Sequence, residues 1–265
     1  MSAYTRLLAW MALTLASLLM TGCAGVSMTP GSRIDADRFN SAIETDDVGF
    51  VRGAIQSGAI SANERVSAPG YPDGAPLITL AARAGSLDIL RFLISARADL
   101  EARTPVEETA LMLAAFFTDD ATNGRGDRHE RAVRMLVEAG ASLENVAYHY
   151  TALAYASYQG NERIVRYLLE RGARVDADAQ GGATYVNTPL MMAAMQGHEH
   201  IVRALLRAGA DADVRVYGGH NAAEFAAKYN HRSLAQLLQC AERRYAQASG
   251  ACRQVLGDIA PRRGG

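Results

Sequence analysis

Residues 188–211 read TPLMMAAMQGHEHIVRALLRAGAD, which is the pattern of two helices joined by a tight turn. Pro189 suits a first helical turn, and the Ala193-Ala194 pair permits close contact with another helix. Gly197 separates the two halves, and Gly209 stands where a left-handed residue would end the second helix. Such a hairpin buries one face of each helix. It therefore requires a neighbouring hairpin on each side.

Weaker copies of this pattern precede and follow it. The residues at the position of Gly209 stand at 58, 97, 140, 172, 209 and 241, at intervals of 32 to 43. The pattern resembles the ankyrin repeat, whose signature is Thr-Pro-Leu-His-x-Ala, and Met191 takes the His position. The resemblance implies an all-α solenoid of about six helix-turn-helix repeats, in which the first and last repeats act as caps. Extra residues are expected in loops, as at Gly70 to Gly74 and between 118 and 131.

The first residues have the form of a secretory signal. Leu7 to Met20 is a continuous apolar run that is shorter than the roughly 20 residues a spanning helix needs. Met20-Thr21-Gly22-Cys23 then resembles a bacterial lipobox, in which the cysteine is acylated. Ala24 follows, where an aspartate would signal retention in the inner membrane. The resemblance implies a lipid-anchored protein of the outer membrane that faces the periplasm. The alternative is a generic signal peptide with an incidental cysteine.

These features divide the chain into four segments. We predict a lipoprotein signal peptide over 1–22, a lipidated tether over 23–33, an ankyrin-repeat domain over 34–241 and a C-terminal extension over 242–265. If Cys23 carries lipid, Cys240 and Cys252 remain as a pair in an oxidising compartment. They would form a disulfide that fastens the extension to the last repeat, or remain as free thiols.

Composition and motifs argue against catalysis and against several classes of ligand. The formal net charge is -1 and no basic patch suggests nucleic acid. No nucleophile elbow, phosphate loop or zinc-protease helix occurs, so we predict no enzyme, no cofactor and no small-molecule substrate. His198 and His200 are two residues apart and would not face each other on a helix. The 118–131 insertion resembles a calcium loop, but Ala121 lacks a ligand oxygen, so we predict no metal site.

The remaining signal is aromatic. In the ankyrin repeat, the loop tips and the two positions after the paired alanines line the concave face. Rings and one methionine recur there, where a solvated surface would be polar. We predict that they form one exposed stripe that binds a partner, with the alternative that they pack on neighbouring repeats. The predicted binding residues are Tyr71, Phe116, Phe117, Tyr148, Tyr150, Tyr158, Tyr185, Met195, Tyr217 and Tyr229.

The expected function is therefore recognition of a protein by a lipid-anchored periplasmic solenoid. A narrower hypothesis is an immunity protein that neutralises a secreted toxic effector, since acylated periplasmic proteins with this repeat resemble such proteins. The alternative is a housekeeping scaffold in envelope assembly or stress protection. The membrane is contacted through the lipid on Cys23.

Overall fold

A computed structural model describes residues 35–117, 127–145, 150–176, 187–216 and 219–242, together with Cys252 and Leu256. The described residues contain twelve helices in six consecutive pairs and one short sheet, which confirms the predicted all-α solenoid. The first helices of the pairs are α1 Ala36–Thr45, α3 Leu77–Ala84, α5 Ala110–Phe116, α7 Ala152–Gln159, α9 Pro189–Gln196 and α11 Ala222–Lys228. The second helices are α2 Val48–Gln56, α4 Leu87–Ser95, α6 Arg128–Glu138, α8 Glu162–Glu170, α10 Glu199–Arg207 and α12 Arg232–Glu242.

The first helices begin where the repeated threonines place them. Thr109, Thr151 and Thr188 have extended backbones, and each hydroxyl accepts the backbone N–H three residues on. This bond satisfies one of the N–H groups that a helix start leaves unpaired. Met191, at the His position of the signature, accepts the Thr188 N–H on its Sδ at 3.4 Å. The thioether thereby completes a reciprocal cap.

The turns between paired helices depend on glycine for two reasons. Gly197 has φ +78°, in the left-handed region, and a Cβ added there would lie 2.5 Å from Cε1 of His231. Gly160 has φ +81° and stands in the same relation to His198. Each ring belongs to the following repeat, and its Nε2–H donates to a carbonyl of the preceding one: His198 to Tyr158 at 3.1 Å and His231 to Met195 at 3.2 Å. Adjacent repeats are therefore joined at these turns.

The interior is a row of small cores between neighbouring repeats. The first helices pack on one another through alanines, of which Ala81, Ala114, Ala115, Ala193 and Ala194 are wholly buried. The second helices cover them with leucine, isoleucine and valine side chains. Because each repeat contacts mainly its neighbours, the stability of the array is a sum of local terms.

One insertion is not the loop that the sequence predicted. Arg65–Ala68 (β1) and Tyr71–Pro76 (β2) form an antiparallel hairpin in which Val66 pairs with Ala75. Gly70 turns the tip with φ +88°. Two prolines in six residues of β2 do not indicate a strand, yet they are tolerated in a two-stranded sheet because only one edge of each strand is paired.

The C-terminal end is closed by a covalent link. Cys240 of α12 and Cys252 form a disulfide with an S–S distance of 2.06 Å, and Leu256 is wholly buried in the core cluster. The predicted signal peptide and tether, residues 118–126 of the insertion and most of the C-terminal extension lie outside the described residues. No described helix has both the length and the apolar character needed to span a bilayer.

Candidate functional site

The side of the molecule formed by the first helices and the loops before them carries the predicted binding residues. Tyr148, Tyr185 and Tyr217, like the predicted lipidation site Cys23, lie outside the described residues. The other seven binding residues differ widely in exposure. The structure therefore divides the predicted stripe into a buried part and an accessible part.

Tyr71 is buried, so its predicted exposure is wrong. The side chain retains 4% of its accessible surface. Its hydroxyl donates to Oε2 of Glu108 at 2.8 Å, and the guanidinium of Arg83 lies over its ring at 5.5 Å. A phenol and a carboxylate from neighbouring repeats thus satisfy each other, and the ring supports the hairpin instead of facing a partner.

Tyr158 and Met195 are also buried, with 8% and 7% exposure. Tyr158 is covered from the next repeat, where Gln196 hydrogen-bonds its side chain. Burial raises the pKa of this phenol, as does the nearby Tyr229 hydroxyl. Met195 accepts from Nδ2 of Asn187 on its Sδ at 3.6 Å. These two side chains join repeats, and the alternative interpretation of the stripe is the correct one for them.

The accessible part consists of Phe116, Phe117, Tyr150 and Tyr229, here called the aromatic face. Tyr229 has 36% exposure, the only large hydrophobic side chain among the described residues that is classed as exposed. Phe116, Phe117 and Tyr150 are half-buried. Such partial exposure leaves ring surface for a partner while packing fixes the rotamers.

Tyr155 holds two of these rings in place, although the sequence did not single it out. It is buried on α7, and its ring centroid lies 5.3 Å from that of Phe116 and 6.0 Å from that of Tyr150. Phe116 and Phe117 meet edge to face at 5.2 Å. Edge-to-face pairs of this kind contribute about 0.5–1.5 kcal/mol beyond area burial. The aromatic face is therefore preorganised by contacts within the protein.

Arg83 also belongs to this site, although it was not among the predicted binding residues. It follows the Ala81-Ala82 pair, so it occupies in the second repeat the position that Phe116 occupies in the third. Its guanidinium lies 5.3 Å from the Phe117 centroid, and Nη1 donates to the Pro69 carbonyl at 2.8 Å. The same positional rule that selected the phenylalanines would have identified this cation.

Glu108 stands beneath Arg83 and immediately before the capping Thr109. Burial raises the pKa of this carboxyl, and hydrogen bonds from Tyr71, Thr104 and Tyr155 and the charge of Arg83 oppose the rise. Two of these donors are phenols from the repeats on either side. Its place before the cap, at a loop tip, is the only sequence signal that could have drawn attention to it.

The site offers contact surface, without the arrangement that metal chemistry requires. Among the described residues, no group of three or more His, Cys, Asp and Glu side chains could hold a metal ion. His198 and His231 are occupied by the carbonyls of neighbouring repeats. The chemistry available at the aromatic face is that of rings, phenol hydroxyls and one guanidinium.

Comparisons with known proteins agree with this architecture. A family model described as ankyrin repeats (3 copies) matches residues 78–179 and 177–247, which together are more than half of the chain. The chain is also similar to a curated protein of Caenorhabditis elegans, the transient receptor potential cation channel subfamily A member 1 homolog. The two are 32% identical over 111 residues, which are 42% of this chain and 8% of that protein. The chain therefore spans a small fraction of that relative's length.

Proposed function

The chain belongs to the ankyrin-repeat family, and from that premise we propose that it binds a protein partner through the aromatic face. Repeats of this family imply protein–protein interaction, and the fold is typically an interaction scaffold and not an enzyme. Because folds host many activities, the particular surface has to be argued from its residues.

One observation carries the proposal: Tyr229 is the one large hydrophobic side chain of the described residues that is exposed, and the Phe116–Phe117 pair on the same side of the molecule also retains accessible ring surface. Exposed apolar surface of this kind is costly unless it is covered by another molecule. Phe116 already packs on Tyr155 and Phe117 packs on Phe116, so a partner loses little entropy in ordering this pair of rings.

We further propose that the chain works in the bacterial cell envelope, anchored by acylation of Cys23. The support is the Met20-Thr21-Gly22-Cys23 motif after an apolar run, together with the Cys240–Cys252 disulfide, which suits an oxidising compartment. Metabolic labelling with an alkyne-bearing fatty acid tests the anchor. We expect label on the wild type and none on Cys23→Ser; label retained by that variant would refute the anchor.

The narrower proposal is that the partner is a secreted toxic effector, which makes the chain an immunity protein; a housekeeping scaffold of the envelope is the alternative. Deleting the gene should sensitise cells to kin that carry the cognate effector. An envelope defect in monoculture with unchanged competition would favour the scaffold.

The binding face is tested by capture of the partner from an envelope extract with purified variants. We expect Phe116→Ala with Phe117→Ala, and separately Tyr229→Ala, to reduce the recovered partner at least tenfold, since buried interface rings contribute about 2 kcal/mol or more. The matched control is Phe92→Ala, which removes a half-buried ring from α4 on the opposite side. If the face variants are folded and recover the partner as the wild type does, the proposal is wrong.

A further inference from the structure

Arg83 is held beside the aromatic face and forms no ion pair within the described residues. Its guanidinium forms no ion pair with any carboxylate of the described residues. Rings flank it instead, those of Tyr71 at 5.5 Å and Phe117 at 5.3 Å, and one Nη1–H is bound to the Pro69 carbonyl at the hairpin tip. The hairpin tip and the rings hold the guanidinium in place, and within the described part of the chain its remaining N–H groups donate to no carboxylate.

Several arginines of the second helices are ion-paired within their own helix. Arg91, Arg134 and Arg203 each bind an acidic residue in their own helix, at 2.5 Å from Asp88, 2.9 Å from Glu130 and 2.9 Å from Glu199 respectively. The charge of each of these three arginines is therefore balanced by a carboxylate of its own helix. Arg83 is not paired in this way, and neither are Arg52 of α2 and Arg128 of α6 among the described residues, so what distinguishes Arg83 is its position beside the aromatic face.

The charges around Arg83 favour an acidic ligand. Arg128 begins α6, and its Cβ lies 3.2 Å from where a Cβ of Gly85 would stand, so a second guanidinium side chain starts at the turn that follows Arg83. Arg128 likewise has no ion pair within the described part of the chain. Glu108, whose pKa the charge of Arg83 lowers, already accepts the Tyr71 hydroxyl, and the two form no ion pair among the described residues. Glu44 occupies the corresponding position of the first repeat and limits the positive surface on that side.

We propose that Arg83 anchors an aspartate or glutamate side chain of the protein partner, while the adjoining rings Phe116 and Phe117 cover the apolar flank of the same segment. This inference rests on the proposed function and adds to it the chemistry of the partner: an acidic segment with apolar neighbours. A planar guanidinium matches a carboxylate with two parallel hydrogen bonds, and the aromatic surroundings keep water from competing for them. Arginine and aromatic residues together are the usual composition of binding hot spots.

The test is selection of peptides from a random displayed library on the purified chain, followed by affinity measurement on the variants. We expect wild type to enrich peptides with aspartate or glutamate beside an apolar residue. We expect Arg83→Gln to weaken these peptides about tenfold or more, and Arg83→Lys to restore part of the loss, because lysine keeps the charge without the fork. The matched control is Arg52→Gln, which removes another unpaired guanidinium stacked on a ring, that of Phe92 at 5.3 Å, on the other side of the molecule.

Each result decides the matter. Selected peptides that are neutral or basic, or no selected peptides, contradict the carboxylate anchor, as does an Arg83→Gln variant that binds acidic peptides as the wild type does. Melting temperatures show whether Arg83→Gln is folded. If it is not, peptide affinity is measured on Arg83→Lys, which retains the stem and the charge. Acidic peptides that bind Arg83→Lys more weakly than Arg52→Gln support the anchor, and equal binding overturns it. If non-acidic peptides are lost in the Phe116→Ala with Phe117→Ala variant, the proposed function survives without the anchor. If peptide binding is unaffected there, both proposals fail.

Discussion

Gly197→Ala adds one methyl group at the turn of the fifth repeat and should lower the stability of the protein for two reasons: the left-handed backbone and the contact with His231 of the next repeat. In Gly197→Ala the new Cβ would lie 2.5 Å from Cε1 and 2.6 Å from Nδ1 of His231, at φ +78°. A left-handed backbone costs a non-glycine residue about 1–2 kcal/mol. The His231 ring must also move away from the Met195 carbonyl, which costs about 0.5–1.5 kcal/mol more for the lost hydrogen bond. We therefore expect Gly197→Ala to lower the free energy of unfolding by about 1.5–3.5 kcal/mol.

Gly209 provides the matched control. It has φ +95°, and a Cβ added there meets nothing within 4 Å, so Gly209→Ala measures the backbone cost alone. Urea unfolding followed by circular dichroism gives both values, and unchanged slopes would show that the denatured state is comparable. In a His231→Ala background, the cost of Gly197→Ala should fall to that of Gly209→Ala. If the two glycine variants are equally destabilised in the wild-type background, the close contact between the turn and the next repeat is wrong.

Three further outcomes follow from other contacts. Burial lowers the pKa of His198 from its usual 6.5, so the unfolded chain binds the proton more readily and stability is lost as pH falls below that value. In His198→Asn, the urea midpoint should therefore change less between pH 7 and pH 5 than in the wild type. An unchanged pH profile would contradict this. Reducing the Cys240–Cys252 disulfide, which closes a separation of 12 residues, should cost up to about 3 kcal/mol in unfolding free energy, and equal stability with and without reductant would count against it. Tyr71→Phe removes a hydrogen-bond donor from the half-buried Glu108 carboxylate. It should lower the free energy of unfolding by about 1–3 kcal/mol, measured by urea unfolding at pH 7. An unchanged free energy of unfolding would contradict this.

The sequence was sufficient for the helical architecture because its signals are local and repeated. A capping Thr188, a Pro189 in the first turn and a glycine at Gly197 act within one hairpin, and the capping threonine and the left-handed glycine recur in other repeats with the same physical role. The two-stranded hairpin was missed because β1 is four residues long and β2 contains two prolines, so neither has the alternation that marks a strand.

The binding residues were harder to predict because exposure depends on the neighbouring repeat. Tyr158 and Phe116 follow paired small residues in the same way, yet the next repeat buries Tyr158 and leaves Phe116 partly accessible. Tyr71 is buried by Glu108, which lies 37 residues away in sequence and has no pattern of its own. A positional rule finds the candidates on a face, and three-dimensional contacts decide which of them remain available.

Photo-crosslinking in living cells tests the binding face most directly. A photoreactive phenylalanine analogue placed at Tyr229, the exposed ring of the aromatic face, should yield a covalent adduct with a single protein after irradiation. The same analogue at Phe92, a half-buried ring on α4, should yield none. Adducts of equal abundance at both positions, or at Phe92 alone, would contradict the assignment of the aromatic face as the surface that the partner covers.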